Sequence, residues 1–97
     1  VDASLDLVVL YTEQVEACRE FYAHLGLPLV AEKHGDGPLH HAAVLANGTV
    51  VEIYPGTAGR TTDRLRLAFT VAAAADLPAG THRLEDPDGR VVIVTAR

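Results

Sequence analysis

Asn47-Gly-Thr-Val-Val-Glu-Ile-Tyr54 decides the fold, because it returns near the C-terminus as Asp88-Gly-Arg-Val-Val-Ile-Val-Thr95. Asn47-Gly48 is a strong hairpin turn signal, and the residues after it are β-branched and apolar. A second echo lies further out: Leu5-Asp-Leu-Val-Val-Leu10 parallels Leu65-Arg-Leu-Ala-Phe-Thr70. The first pairing sets Glu52 against Ile93, and the second sets Asp6 against Arg66. The offset falls from 60 positions to 41, so the second half is shorter by 19 positions, about a helix and a strand.

Between the echoes the elements read in order. Leu5–Thr12 has strand composition. Glu13–Leu25 reads as a helix, with Thr12 as its cap and an apolar stripe of Val15, Cys18, Tyr22 and Leu25. Gly26 and Pro28 end it. Leu29–Lys33, His40–Leu45 and Thr49–Tyr54 read as strands, the last two joined at Asn47-Gly48. Leu65–Val71 alternates in polarity, as a strand does. Ala72–Ala79 is too short for a substantial helix, and Thr81–Leu84 and Val91–Thr95 form a hairpin around Asp86-Pro-Asp-Gly89. Two looser stretches remain, His34–Pro38 and Pro55–Asp63.

This β-α-β-β-β order, the Phe21-Tyr22-Ala-His-Leu-Gly26-Leu end of the helix and the late Asp86-Pro-Asp-Gly89 resemble the vicinal-oxygen-chelate superfamily of glyoxalases, bleomycin-resistance proteins and extradiol dioxygenases. The resemblance covers nearly the whole chain apart from the shortened segment after Val71. It implies an α+β fold of paired βαβββ modules forming a cup-shaped sheet. Here it predicts one domain over residues 1–97, with module one at 1–56 and a shortened module two at 63–97.

In that superfamily, metal ligands come from the first and last strands of each module. Carried over, those positions hold Asp6, Glu52, Arg66 and Ile93. Glu52 fits, and Asp6 offers a hard oxygen donor. Arg66 has no lone pair to give, and Ile93 has no donor atom. The expectation is therefore no metal and no cofactor at these positions. Strand alternation predicts that Asp6, Val8 and Leu10 share a face with Val50, Glu52 and Tyr54, with Arg64, Arg66, Ala68 and Thr70, and with Val91, Ile93 and Thr95. Charges on such apolar strands need a reason. Either Arg66 neutralises Asp6 or Glu52, or Arg64 or Arg66 holds a polar group of a ligand. Asp6, Glu52, Tyr54, Arg64 and Arg66 are the candidate ligand-binding residues, and Glu52 is the candidate general base.

Other residues have milder readings. His40 and His41 are adjacent, so on a strand only one enters the cup. His24 suits the C-terminal end of its helix. His34 and His82 have no partner by spacing. Cys18 lies on the apolar stripe and reads as a core residue.

Composition excludes several classes. A formal net charge of −5, with eight unclustered basic residues, argues against nucleic-acid binding. The 48% hydrophobic content includes no run long enough to cross a bilayer. A lone cysteine and the lack of a leader-like start predict a cytoplasmic protein. The sequence thus predicts a metal-independent small-molecule-binding protein. The alternatives are a lyase, isomerase or dioxygenase-like enzyme using Glu52, and a structural or regulatory dimer without ligand. Because the second module lacks its helix, Leu65, Leu67, Phe69, Val71, Val92 and Val94 are expected to form a poorly covered face that a homodimer would bury.

Overall fold

The computed structural model describes residues 2–97. It contains β1 (Leu7–Thr12), α1 (Val15–His24), β2 (Val30–Glu32), β3 (His40–Val44), β4 (Val50–Pro55), β5 (Arg66–Val71), β6 (Gly80–Glu85) and β7 (Val91–Ala96). The first four strands form one sheet in the order β1-β4-β3-β2, and the rest form a second in the order β5-β7-β6. In each sheet the first strand of the module runs parallel to the last, and the remaining strands pair antiparallel. The echo in the sequence is therefore an echo in topology. The second module lacks the long helix and the strand equivalent to β2, which makes it the truncated one.

The pairing register corrects one expectation. Leu7 pairs with Val50, and Arg66 pairs with Val91. Leu7, not Asp6, is thus the counterpart of Arg66, and the offset between the first strands is 59 positions rather than 60. The cause is the near-uniform hydrophobicity of Leu5–Leu10, where alternation leaves no phase except the one Asp6 suggests. In the structure, Leu7, Val9 and Tyr11 share the face of Val50, Glu52 and Tyr54. Val8, Leu10 and Thr12 turn the other way.

That other face is the core. Leu10, Val51 and Ile53 from the first sheet meet Val92 and Val94 from the second, with Cys18, Tyr22 and Leu25 of α1 in the same cluster. One helix thus packs against both sheets, and Tyr22 meets Phe69 edge-on with ring centroids 6.2 Å apart. Val92 and Val94 are fully buried, contrary to the expected exposure, because α1 also covers the second module. Leu65, Leu67, Phe69 and Val71 remain half-buried. An apolar groove of about 510 Å³ runs beside α1, lined in part by Phe21, Leu25, Leu77 and Leu84.

The Asp86-Pro-Asp-Gly89 turn fastens the modules together. The buried Asp86 carboxylate accepts hydrogen bonds from Tyr22 Oη (2.7 Å), Arg90 Nη1 (2.8 Å) and the Asp88 and Arg90 amides (2.9 and 3.0 Å). The Arg90 guanidinium also donates to the Tyr11 and Thr62 carbonyls at 3.1 and 2.8 Å. A buried carboxylate with four donors and a buried guanidinium with carbonyl partners meet the condition under which buried charge is tolerated. The helix cap differs from expectation. Gln14 is the N-cap, and Thr12 Oγ1 instead accepts the Gln14 amide at 2.9 Å.

Candidate functional site

The face of the first sheet turned away from α1 carries the chemistry. Glu32 pairs with His40 across β2 and β3, and Ala42 pairs with Glu52 across β3 and β4. Paired residues share a face, so the register aligns Glu32, His40, Glu52, Tyr54 and Tyr11 on one surface. Leu7, Val9, Val30 and Val44 surround them with apolar side chains.

His40 is the centre of this group. Only 1% of it is exposed, and its ring stacks on Tyr54 with centroids 4.1 Å apart and planes 12° apart. The His34 ring is tilted against it with centroids 5.1 Å apart. His40 Nδ1 is 3.1 Å from the Pro38 carbonyl. A carbonyl only accepts, so Nδ1 carries a proton and donates it there. Nε2 is left buried without a hydrogen-bond partner. It points between two carboxylates, 3.4 Å from Glu32 Oε1 and 3.5 Å from Glu52 Oε2.

Tyr11 and Tyr54 form a tilted aromatic pair with centroids 5.8 Å apart. Desolvation, reinforced by the negative charge of Glu52 and by Tyr11, pushes the Tyr54 phenol up, so it stays protonated and able to donate. The surface thus offers an aromatic floor, a half-buried carboxylate and a buried imidazole.

The sequence-predicted residues are distributed unevenly around it. Glu52 and Tyr54 stand together on this face. Asp6 precedes β1, is exposed and accepts a hydrogen bond from Ser4 Oγ at 3.3 Å. It does not join the Glu52 face, for the register reason given above. Arg66 is exposed on β5 beside Val91, and Arg64 is exposed just before β5. Among the described residues neither arginine forms an ion pair with Asp6 or Glu52, and His40 stands beside Glu52 in place of Arg66. Ile93 lies on the face of Arg66 and Ala68. Of the four positions matching the superfamily ligands, only Glu52 carries a donor turned into the cup.

Of the adjacent His40 and His41, the one that lines the cup is His40. Spacing offered His34 no partner, whereas His34 Nε2 lies 3.8 Å from Glu32 Oε1. Glu32 went unnoticed because its strand is only three residues long. The available signal was period two: Glu32 and His34 alternate on one side of their segment, as His40 and Ala42 do on theirs.

Paired β-α-β-β-β and β-β-β modules with a parallel first-to-last pairing define the glyoxalase-type class of α+β proteins. The model of the Glyoxalase/Bleomycin resistance protein/Dioxygenase superfamily matches residues 4–97, and the chain belongs to that superfamily. Similar solved structures include the oxidase ChaP-H2, 16% identical with a TM-score of 0.65, with 100% of this chain and 95% of that one covered. A possible glyoxalase from Bacillus cereus is 14% identical with a TM-score of 0.63, covering 96% and 98% of the two chains. A virulence protein from Salmonella typhimurium is 15% identical with a TM-score of 0.64, covering 99% and 98%. No curated protein matches the chain significantly. At these identities the likeness carries the fold, and function rests on the site. Among the described residues no helix is long and apolar enough to cross a membrane.

Proposed function

We propose that this protein binds a small molecule on the cup face of its first sheet, without an ion at the superfamily's usual inter-module position. The observation that carries this reading is the pairing of Tyr11 and Tyr54 beside half-buried Glu52 on an open apolar surface. Aromatic rings supply contact area, and one carboxylate fixes the orientation of a donor group. At the usual position Arg66 and Ile93 provide no ligand atom, and the first-strand residue there is Leu7.

Thermal-shift screening against aromatic, thiol-conjugate and antibiotic-like compounds tests it. A ligand at a hundred times its Kd stabilises by about 2.7 kcal/mol. For a domain of this size that corresponds to a rise of roughly 10 °C or more in Tm. Tyr54→Ala and Glu52→Gln are expected to abolish the shift. Uniform silence, or a shift both variants retain, defeats the reading.

A second reading follows from the 3.5 Å approach of His40 Nε2 to Glu52. Here Glu52 is the general base of a lyase, isomerase or dioxygenase-like reaction, with the imidazole tuning it. Turnover of a bound compound by the wild type and not by Glu52→Gln, at equal binding, separates catalysis from sequestration.

We further propose a homodimer, with its interface on a different surface from the one the sequence suggested. On the second module Val92 and Val94 are buried, and Leu65, Leu67, Phe69 and Val71 are half-buried. The exposed apolar residues are instead Leu7, Tyr11, Val30 and Val44 on the cup face, with Leu5 and Leu39 nearby. A second copy set against this face would close the cup over its ligand.

A further inference from the structure

The geometry points to a divalent transition-metal site within the first sheet, held by His40 Nε2, Glu32 and His34, with Glu52 flanking His40. It differs from the superfamily's arrangement, because its three ligands come from β2, β3 and the loop after β2. It does not depend on the small-molecule reading, and its test uses metal alone.

Three observations meet here. The first is the orphaned nitrogen. His40 is buried, its Nδ1 proton is committed to the Pro38 carbonyl, and Nε2 has no hydrogen-bond partner. An imidazole so fixed presents a lone pair in one direction. Metal-bound histidines are oriented in the same way by a carbonyl on the far nitrogen.

The second is the spacing. A four-coordinate ion with ligand bonds near 2.1 Å places its ligand atoms about 3.4 Å apart. Nε2 lies 3.4 Å from Glu32 Oε1 and 3.5 Å from Glu52 Oε2. His34 Nε2, 3.8 Å from Glu32 Oε1, is on the rim. The ligating atoms of Glu32, His34 and His40 all fall within 4.8 Å of one another, and Glu52 touches this group through His40 alone. These distances are too long for good hydrogen bonds and suit atoms that share an ion.

The third is charge. Two carboxylates flank the His40 imidazole, while Arg64 and Arg66 make no ion pair with either among the described residues. A divalent cation neutralises the pair. Mixed imidazole and carboxylate donors favour first-row transition ions over calcium or magnesium, which prefer oxygen alone. With His34 exposed at the rim, that position is the one most open to exchange with a ligand oxygen on the cup face.

The experiment titrates the chelator-treated protein with cobalt(II) and follows the visible absorption of the ion. Binding saturates at one cobalt per chain, with the intense bands of tetrahedral coordination, and zinc displaces it. Glu32→Gln and His40→Gln each weaken binding by about 100-fold or more, above the 10–100-fold typical of supporting residues. His34→Ala, a substitution at an exposed residue, weakens it less and shifts the spectrum. Circular dichroism of the Glu32→Gln protein shows whether the fold persists, and this half-exposed position keeps the test decisive if His40→Gln misfolds. Absence of saturable binding, or wild-type affinity in folded Glu32→Gln, overturns the site and leaves His40 buried between two carboxylates without a metal. Run on chelator-treated protein and read at Tyr54→Ala, the small-molecule screen fails or succeeds separately from this result, whereas Glu52 flanks both sites.

Discussion

At the residue scale, the Asp86–Arg90 pair is the buried contact whose one-sided disruption is expected to cost most. Both side chains are buried, and between them they bind Tyr22, Tyr11 and Thr62 as well as each other. Removing one member strands the other charge, which costs about 3–5 kcal/mol in comparable sites. Arg90→Met is therefore expected to lose about that much in urea unfolding. Tyr22→Phe, which leaves Asp86 three donors, should lose only about 1–2 kcal/mol. Equal losses would refute this ranking. Asp88 supplies the pH dependence. Burial pushes its carboxyl up, but hydrogen bonds involving Thr12, Gln14 and Cys18 and the charge of Arg90 outweigh that and hold it below its usual value of 3.8. A carboxyl lowered by folding contributes stability that is fully present above its unfolded pKa and lost as pH falls through its folded one. Unfolding free energy should thus decline as pH drops below about 4, and Asp88→Asn should decline less steeply over that window. Parallel curves for the two proteins would contradict the assignment. The Asp-Pro-Asp-Gly turn was legible in the sequence, but its partners were not: Tyr22 lies 64 positions from Asp86, a distance that local pattern cannot bridge.

At the element scale, most of the architecture could be read from periodicity, and the misreadings share a cause. β4, β5 and β7 carry polar residues that mark a phase, and the face assigned to each agrees with its observed pairing. β1 is apolar almost throughout, and its face was assigned one residue out of register. β2 is three residues long and hid Glu32. The sharing of α1 between two sheets was not legible at all, because a helix's sequence shows one apolar stripe and not how many partners meet it. The β3–β4 turn offers a direct test of the hairpin reading. Gly48 has φ +89°, and a Cβ there would meet nothing within 4 Å. Gly48→Ala therefore costs only the left-handed backbone strain, about 1–2 kcal/mol. A neutral Gly48→Ala protein in chemical denaturation would mean that the turn relaxes to another type. Phe21 reports on the shared helix. It packs edge-on to Tyr22 at 5.0 Å and lines the apolar groove beside α1 with Leu77 and Leu84. Being only half-buried, Phe21→Ala should cost less than the 3–5 kcal/mol of a fully buried phenylalanine.

At the scale of the molecule, truncation shifts the problem of exposed apolar surface from one face to another. A complete second module would bring its own helix. Here α1 shares one core cluster with both sheets, and Val92 and Val94 are fully buried in it. What stays open is the cup, where Leu7 is 50% and Val44 64% exposed alongside Val30 and Tyr11. Scattered apolar residues on a surface need no explanation, but these share one face of one sheet. A self-complementary contact about a two-fold axis is the commonest way to bury such a face. Light scattering at low micromolar concentration is expected to show a dimer. Val44→Lys, at an exposed strand end outside the Glu32–His40–Glu52 cluster, should yield folded monomer, because it sets a charge in the contact without disturbing the core. The same substitution should leave cobalt binding in place, since none of the three proposed ligands comes from a partner. A single monomeric species in the wild type, or a dimer unchanged by Val44→Lys, would show that the cup face is open to solvent and that the ligand reaches it without a second copy.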